Sequence, residues 1–108
     1  MNVVEYIENR RLNLEYIEKY CKIQDDSIII PLYSIQWLTG GQIRYINPID
    51  HWWIKSMTRP KSKWSMFLKQ EYLDPDKPII IVEWEIDFLS IIPYTEKYNL
   101  IGLKWCNS

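Results

Sequence analysis

Apolar residues along this chain change period several times, and the changes divide it into helices and strands. Over residues 2–21, Val4, Ile7, Leu12, Leu14, Ile17 and Cys21 recur among charges. That spacing predicts two short helices, broken near residues 11–13, with Asn13 as the cap of the second. A polar turn at 24–27 leads to a strand at 27–34, where three consecutive isoleucines precede Pro31. The proline assigns that strand to an edge or near a strand end. Gly40–Gly41 reads as a hairpin turn, and residues 42–46 return as a strand with Ile43 and Tyr45 on one side and Gln42, Arg44 and Ile46 on the other. After the break at Asn47–Pro48, short strands are expected at 51–56 and 64–68, with a basic, proline-containing loop at 59–63 between them. Residues 72–77 form a turn into the most concentrated apolar run, Ile79–Val82, which follows Pro78 and stops at Glu83. A short β-branched run of this kind predicts a strand buried on both faces. Beyond it Ile86, Leu89 and Ile92, with Phe88 beside them, take helical spacing. Residues 93–98 connect to a last apolar run at 99–103. Strand, helix and strand at this spacing make a βαβ unit.

At 108 residues the chain is one small domain, with 47% hydrophobic and 15% aromatic residues to fill a core. It contains no alanine and three glycines, so the core is built from large, stiff side chains. Cys21 and Cys106 lie far apart and His51 is the single histidine. This set matches no zinc spacing and reads as two reduced thiols. No secretory leader pattern is present, and no stretch approaches the roughly 20 apolar residues a bilayer-spanning helix needs. A cytoplasmic protein without membrane contact is expected.

Charge changes the picture in the middle third. Residues 41–70 hold six basic residues against one acidic, a net +5, while the remainder carries −6. Tyr45, Trp52, Trp53, Trp64 and Phe67 interleave with those cations. Lysine and arginine neutralise phosphates, and exposed rings stack on bases, which is the combination single-strand binders use. The candidate nucleic-acid contacts are Arg44, Tyr45, Lys55, Arg59, Lys61, Lys63 and Trp64. The second candidate constellation is Glu83 with Asp87. A carboxylate at the carboxyl end of a strand lies where open α/β sheets carry their ligands, and it suits acid–base work or indirect metal binding.

The run I-I-I-V-E-W-E-I-D-F-L-S, followed by Y-N-L-I-G-L, resembles the opening of a toprim domain, the fold shared by bacterial-type DNA primases and topoisomerases. Glu83 matches the family's catalytic glutamate and Asp87 its following aspartate. Upstream, I-I-I-P-L-Y-S and G-G-Q-I-R-Y-I-N-P are similar to the segment preceding toprim in primase cores, where an antiparallel subdomain borders a basic template groove. Arg44 matches that segment's arginine, and residues 55–63 its basic loop. The resemblance covers roughly residues 12–105. Two departures stand out: Trp84 occupies the place of a family glycine, and the chain stops before the strand that carries the family's metal-binding Asp-x-Asp.

The expected architecture is therefore α/β. A small antiparallel N-terminal subdomain with its helices (residues 1–76) joins a partial toprim-like βαβ unit (77–108) in one compact whole. The expected function is binding of single-stranded DNA or RNA in replication, by a degenerate primase-like module or by half of a split primase. The resemblance implies Mg²⁺ only if a second polypeptide supplies the Asp-x-Asp strand; the isolated chain should need no cofactor and make no primer. A sheet ending at residues 99–103 would leave that edge open to such a polypeptide or to a homodimer, with Trp105 adding buried area. The rival from another class is a non-catalytic protein-interaction module using the same basic, aromatic face.

Overall fold

Asparagine side chains start the first two helices. Asn2 Oδ1 accepts from the Glu5 amide at 2.8 Å and opens α1, Val3–Asn9. Asn13 Oδ1 accepts from the Tyr16 amide at 3.1 Å and opens α2, Leu14–Tyr20. Each cap satisfies one of the amides that a helix start leaves without a partner. The computed structural model describes residues 1–33, 38–59, 61, 66–68 and 73–103. Beyond the two helices these form β1 (Lys22–Ile23), β2 (Ser27–Tyr33), β3 (Leu38–Tyr45), a 3-10 turn at Pro48–His51, β4 (Ser56–Thr58), β5 (Met66–Leu68), β6 (Ile79–Val82), α3 (Glu85–Ile91), a second 3-10 turn at Ile92–Glu96, and β7 (Asn99–Leu103).

All seven strands share one mixed sheet, in the order β4-β3-β2-β5-β7-β6, with β1 also paired to β2. Every pairing is antiparallel except β6 with β7, the two strands joined through α3. The protein is α/β. Its antiparallel strands and its βαβ unit are continuous through β5, which pairs β2 at Leu32 and β7 at Ile101 to Leu103.

The register sorts side chains between two faces, since directly opposed residues point the same way and successive residues alternate. One face carries Ile28, Ile30 and Leu32 of β2, Phe67 of β5, and Leu100 and Gly102 of β7. The side chains among these pack in a single buried cluster with Tyr6 and Ile7 of α1, Ile17 of α2, Phe88 and Leu89 of α3, and Ile92. The helices thus pack on this face. Ile29, Leu68 and Ile101 belong to the opposite face; they are buried, yet stand outside that cluster.

Several expectations change. The run Ile79–Val82 is an edge strand among the described residues, not one buried on both faces. Ile80 and Val82 turn inward, while Ile79 and Ile81 are 51% and 58% exposed. Conversely, Asn99–Leu103 is flanked by β5 and β6, so its edge is not open. Buried Asn99 anchors this arrangement: its Nδ2 donates to the Asp74 and Lys77 carbonyls at 2.8 and 2.9 Å, and its Oδ1 accepts from the Asp74 amide at 2.8 Å. The turn ahead of β6 is thereby tied to the start of β7. Pro31 is near a strand end rather than in an edge strand: it lies two residues before the end of β2, between the residues that pair with β1 (Ile28, Ile29) and the one that pairs with β5 (Leu32). Gly40 and Gly41 form no turn. They lie inside β3, opposite Leu32 and Pro31, and neither has a positive φ. The expected strand at 51–56 is instead the end of a 3-10 turn and two left-handed residues, with β4 beginning at Ser56.

Gly102 is where packing demands glycine. A Cβ there would stand 2.4 Å from Phe67 Cδ2, 2.9 Å from Phe67 Cβ and 3.0 Å from Phe88 Cδ1. The second of these atoms is fixed by the backbone of β5, so the ring cannot simply swing away. Gly102→Ala is expected to lower stability by about 3 kcal/mol through overpacking, read from the denaturant midpoint. A change below about 0.5 kcal/mol would show that β5 and α3 can separate without loss.

Candidate nucleic-acid interface

β3 alternates in the way its sequence suggests, but its polar side is the covered one. Gln42 and Arg44 share the helix-covered face, and Ile43 and Tyr45 the open face. Gln42 is satisfied across to β4, donating from Nε2 to Ser56 Oγ at 2.8 Å and accepting the Thr58 hydroxyl at 2.9 Å. Arg44 donates from Nη1 to Glu85 Oε1 at 3.1 Å and from Nε to the Tyr6 hydroxyl at 3.4 Å. Its side chain is 16% exposed and that of Glu85 7%. Burial by itself would lower the Arg44 pKa; the hydrogen bonds and charges of Tyr6 and Glu85 outweigh it and hold the pKa above the ordinary value. Arg44, expected to face phosphate in a groove, instead joins β3 to α1 and α3. Glu85 was not among the expected site residues. It lies on the α3 stripe that also carries Phe88, Leu89 and Ile92, and its place on an apolar stripe is the signal that marks it.

The open face gathers the other candidates. Lys55 opposes Tyr45, whose amide donates to the Lys55 carbonyl at 3.0 Å; Met57 opposes Ile43; and Arg59 opposes Gly41, to whose carbonyl its amide donates at 2.8 Å. Lys55, Met57 and Arg59 therefore stand in a row on one face of a strand that is at the sheet's edge among the described residues. At a rise of about 3.3 Å per residue, the Cα atoms of Lys55 and Arg59 are roughly 13 Å apart. The Arg59 stem lies along the sheet. A side chain on Gly41 would meet Arg59 Cδ at 3.0 Å and Ile29 Cγ2 at 3.1 Å. Lys61 is exposed and left-handed, with φ 68°. Among the described residues none of Lys55, Arg59 and Lys61 forms an ion pair. Lys63 and Trp64 lie outside the described residues.

Between β3 and β4 the chain makes a projection held by side-chain and backbone contacts. His51 Nε2 stands 2.6 Å from Asp26 Oδ2, and the His51 ring stacks on Tyr45 at 3.7 Å between centroids and 16° between planes. The Ile46 amide donates to the Asp26 carbonyl at 3.0 Å, tying the turn that carries Asp26 to the end of β3. On this base Trp52 and Trp53 are both left-handed, with φ of 56° and 64°. That region is strained for a bulky side chain, at about 1 kcal/mol or more per residue. The turn is closed by Trp53 N to Pro48 O at 2.8 Å and Ile54 N to His51 O at 3.0 Å. The two indoles are 91% and 73% exposed.

Glu83 and Asp87 lie apart from this face. Glu83 follows the carboxyl end of β6 and Asp87 is in the first turn of α3; both are exposed. Trp84, the residue before α3, makes no side-chain cap. Among the described residues no three His, Cys, Asp or Glu side chains come together in a way that could hold a metal ion. The described residues thus do not fit a Mg²⁺ site of the toprim kind. Burial pushes the Cys21 thiol up to about 12, which leaves it without nucleophilic thiolate. No helix among the described residues is long and apolar enough to cross a membrane. No protein-family model, curated protein sequence or solved structure matches the chain.

The Arg44–Glu85 pair gives the site a test of its own. Removing one partner leaves the other charged and buried, at a cost of about 3–5 kcal/mol, whereas replacing both with apolar residues of similar volume is often near neutral. Arg44→Ala is expected to fall in that range, and Arg44→Met with Glu85→Leu to recover most of the loss in denaturant unfolding. A single variant with unchanged stability would mean that water, not the pair, satisfies these groups.

Proposed function

We propose that the chain binds single-stranded nucleic acid across the helix-free face of β3 and β4, as a replication-related, primase-like module that does not polymerise alone. The observation that carries this is the shared parity of Tyr45, Lys55 and Arg59. It sets an aromatic ring and two cations without ion-pair partners among the described residues on one surface, beside exposed Lys61. Cations on such a surface exchange condensed counterions for phosphates, and a ring on it offers a π-face to a base. The primase-like element of the proposal is supported by the βαβ unit itself: an apolar strand ending before Glu83, a helix bearing Asp87, and a parallel second strand. In this reading Glu83 and Asp87 are half of a site. A polypeptide that completed it, or a second copy of the chain, would pair along the outer edge of β6.

The binding surface is tested by charge reversal. Log affinity for an oligothymidine should fall linearly with log salt, and Lys55→Glu, Arg59→Glu and Lys61→Glu together should make the slope shallower by about 0.7 for each phosphate that is no longer neutralised. An unchanged slope would move the site elsewhere. Absence of binding at low salt would end the nucleic-acid reading and favour the protein-interaction alternative, to which the exposed Ile79 and Ile81 are suited.

Catalysis is tested separately. Purified chain with Mg²⁺ or Mn²⁺ should make no primer, because a lone carboxylate holds a hydrated divalent ion weakly. Glu83→Gln should leave oligonucleotide binding unchanged, since Glu83 lies beyond β6, at the opposite end of the sheet from β3 and β4. Primer synthesis that this substitution abolishes would show that the carboxylates already suffice.

A further inference from the structure

We infer that Trp52 and Trp53 form a stacking knuckle that takes unpaired bases at one end of the Lys55–Arg59 row, and that it makes the surface selective for bases rather than for phosphate charge alone. This rests on the nucleic-acid reading above and adds to it a specific pair of residues and a ligand class, the unpaired nucleobase.

Three independent features converge on the pair. The first is exposure: two adjacent indoles stand almost wholly in water, where burial is their ordinary fate. The second is backbone conformation. Both residues adopt the left-handed region that glycine or asparagine fills without strain. A turn needing only to close would do so better with those residues, so the indoles are kept against the local preference of the chain. The third is support. The turn does not hang free; His51 fixes it to Asp26 and to the Tyr45 ring, and the backbone bonds from Trp53 and Ile54 close it. A platform held in advance loses little freedom on binding.

The choice of nucleobase as occupant comes from what adjoins the knuckle. Lys55 lies two residues beyond Trp53, directly opposite Tyr45, and begins the row that continues to Arg59. Planar rings at the head of a cationic row match a strand whose planar bases and anionic phosphates alternate along one backbone. A duplex hides its base faces within the stack, and the knuckle would gain nothing from it.

The test uses the full chain and variants chosen to keep the fold. Trp52→Gly with Trp53→Gly removes the indoles from left-handed positions that glycine occupies freely. Its melting temperature should equal or exceed the parent's. Trp52→Phe with Trp53→Phe keeps aromatic faces on the same backbone. The probes are an oligothymidine and an abasic oligonucleotide of the same length, which keeps the phosphates and lacks the bases. The parent should prefer oligothymidine. The glycine variant should lose about tenfold in affinity for each indole removed, the order of base–aromatic stacking, with its salt slope unaltered. The phenylalanine variant should keep most of the binding, and on the abasic probe all three proteins should bind alike. Equal binding of the two probes by the parent would overturn the knuckle and leave the phosphate-binding face standing. The knuckle is equally overturned if the glycine variant loses affinity to the same extent on both probes, or if it retains oligothymidine binding while losing adhesion to vesicles of anionic phospholipid. Failure of the parent to bind either probe at low salt would bring down the nucleic-acid reading together with the knuckle.

Discussion

The ion pair between Arg44 and Glu85 is the contact on which the arrangement of the site depends. It joins the carboxyl end of β3 to the first residue of α3, and through the Tyr6 hydroxyl it joins both to α1. Three segments distant in sequence thus meet at one guanidinium. A buried pair of this kind contributes little net stability against an apolar alternative, but it tolerates few geometries, because each unsatisfied lone pair or N–H is costly there. The consequence for function is indirect. With Glu85 held inward, the acidic residues two positions to either side of it, Glu83 and Asp87, are both exposed at the carboxyl end of β6.

The same contact divides the polar residues of β3 by role. Gln42 and Arg44 share the helix-covered face, where β4 satisfies the first and α1 and α3 the second, leaving Ile43 and Tyr45 for the open face. That inverts the usual rule for a one-sided antiparallel sheet, in which apolar residues turn inward. The fold tolerates the inversion because β2, β5 and β7 supply the apolar contacts: Ile28, Ile30, Leu32, Phe67 and Leu100 fill the layer under the helices. The strands at the other end of the sheet are then free to carry charge and aromatic surface on the open side.

Parts of this were legible in the sequence. Asn13 as a cap, the helix after Glu83, the parallel pair of strands around it and the alternation of β3 all follow from short-range pattern, because the forces that set them act over one or two turns. The misreadings arise where a long-range partner decides. Ile79–Val82 has the composition of a central strand, but burial depends on neighbours, and only β7 pairs with it among the described residues. Gly40–Gly41 has the composition of a turn, but Gly41 lies where Arg59 and Ile29 close over the strand. Arg44 belongs to a basic segment, and only the fold reveals that Glu85, forty-one residues away, takes its charge. Glu85 itself was readable as the one carboxylate on the stripe of Phe88, Leu89 and Ile92. Periodicity could have found it before chemistry did.

The knuckle at Trp52–Trp53 shows why strain and support must be considered together. Two left-handed indoles in water oppose folding locally, so the turn persists because other contacts over-determine it. Those contacts are the Asp26–His51 hydrogen bond, the Tyr45–His51 stack and the amide bonds that close the turn. None of them involves the indole rings. The groups that stabilise the projection are therefore distinct from the groups that it presents, and the same holds for the sheet beneath, where the helix-covered face carries the core and the open face carries the cations. Such a separation lets surface residues be replaced without unfolding the protein, and it lets an unfavourable surface persist on stability generated elsewhere. A loop whose own aromatic side chains held it in place would bury them in doing so, and it would have nothing left to offer a ligand.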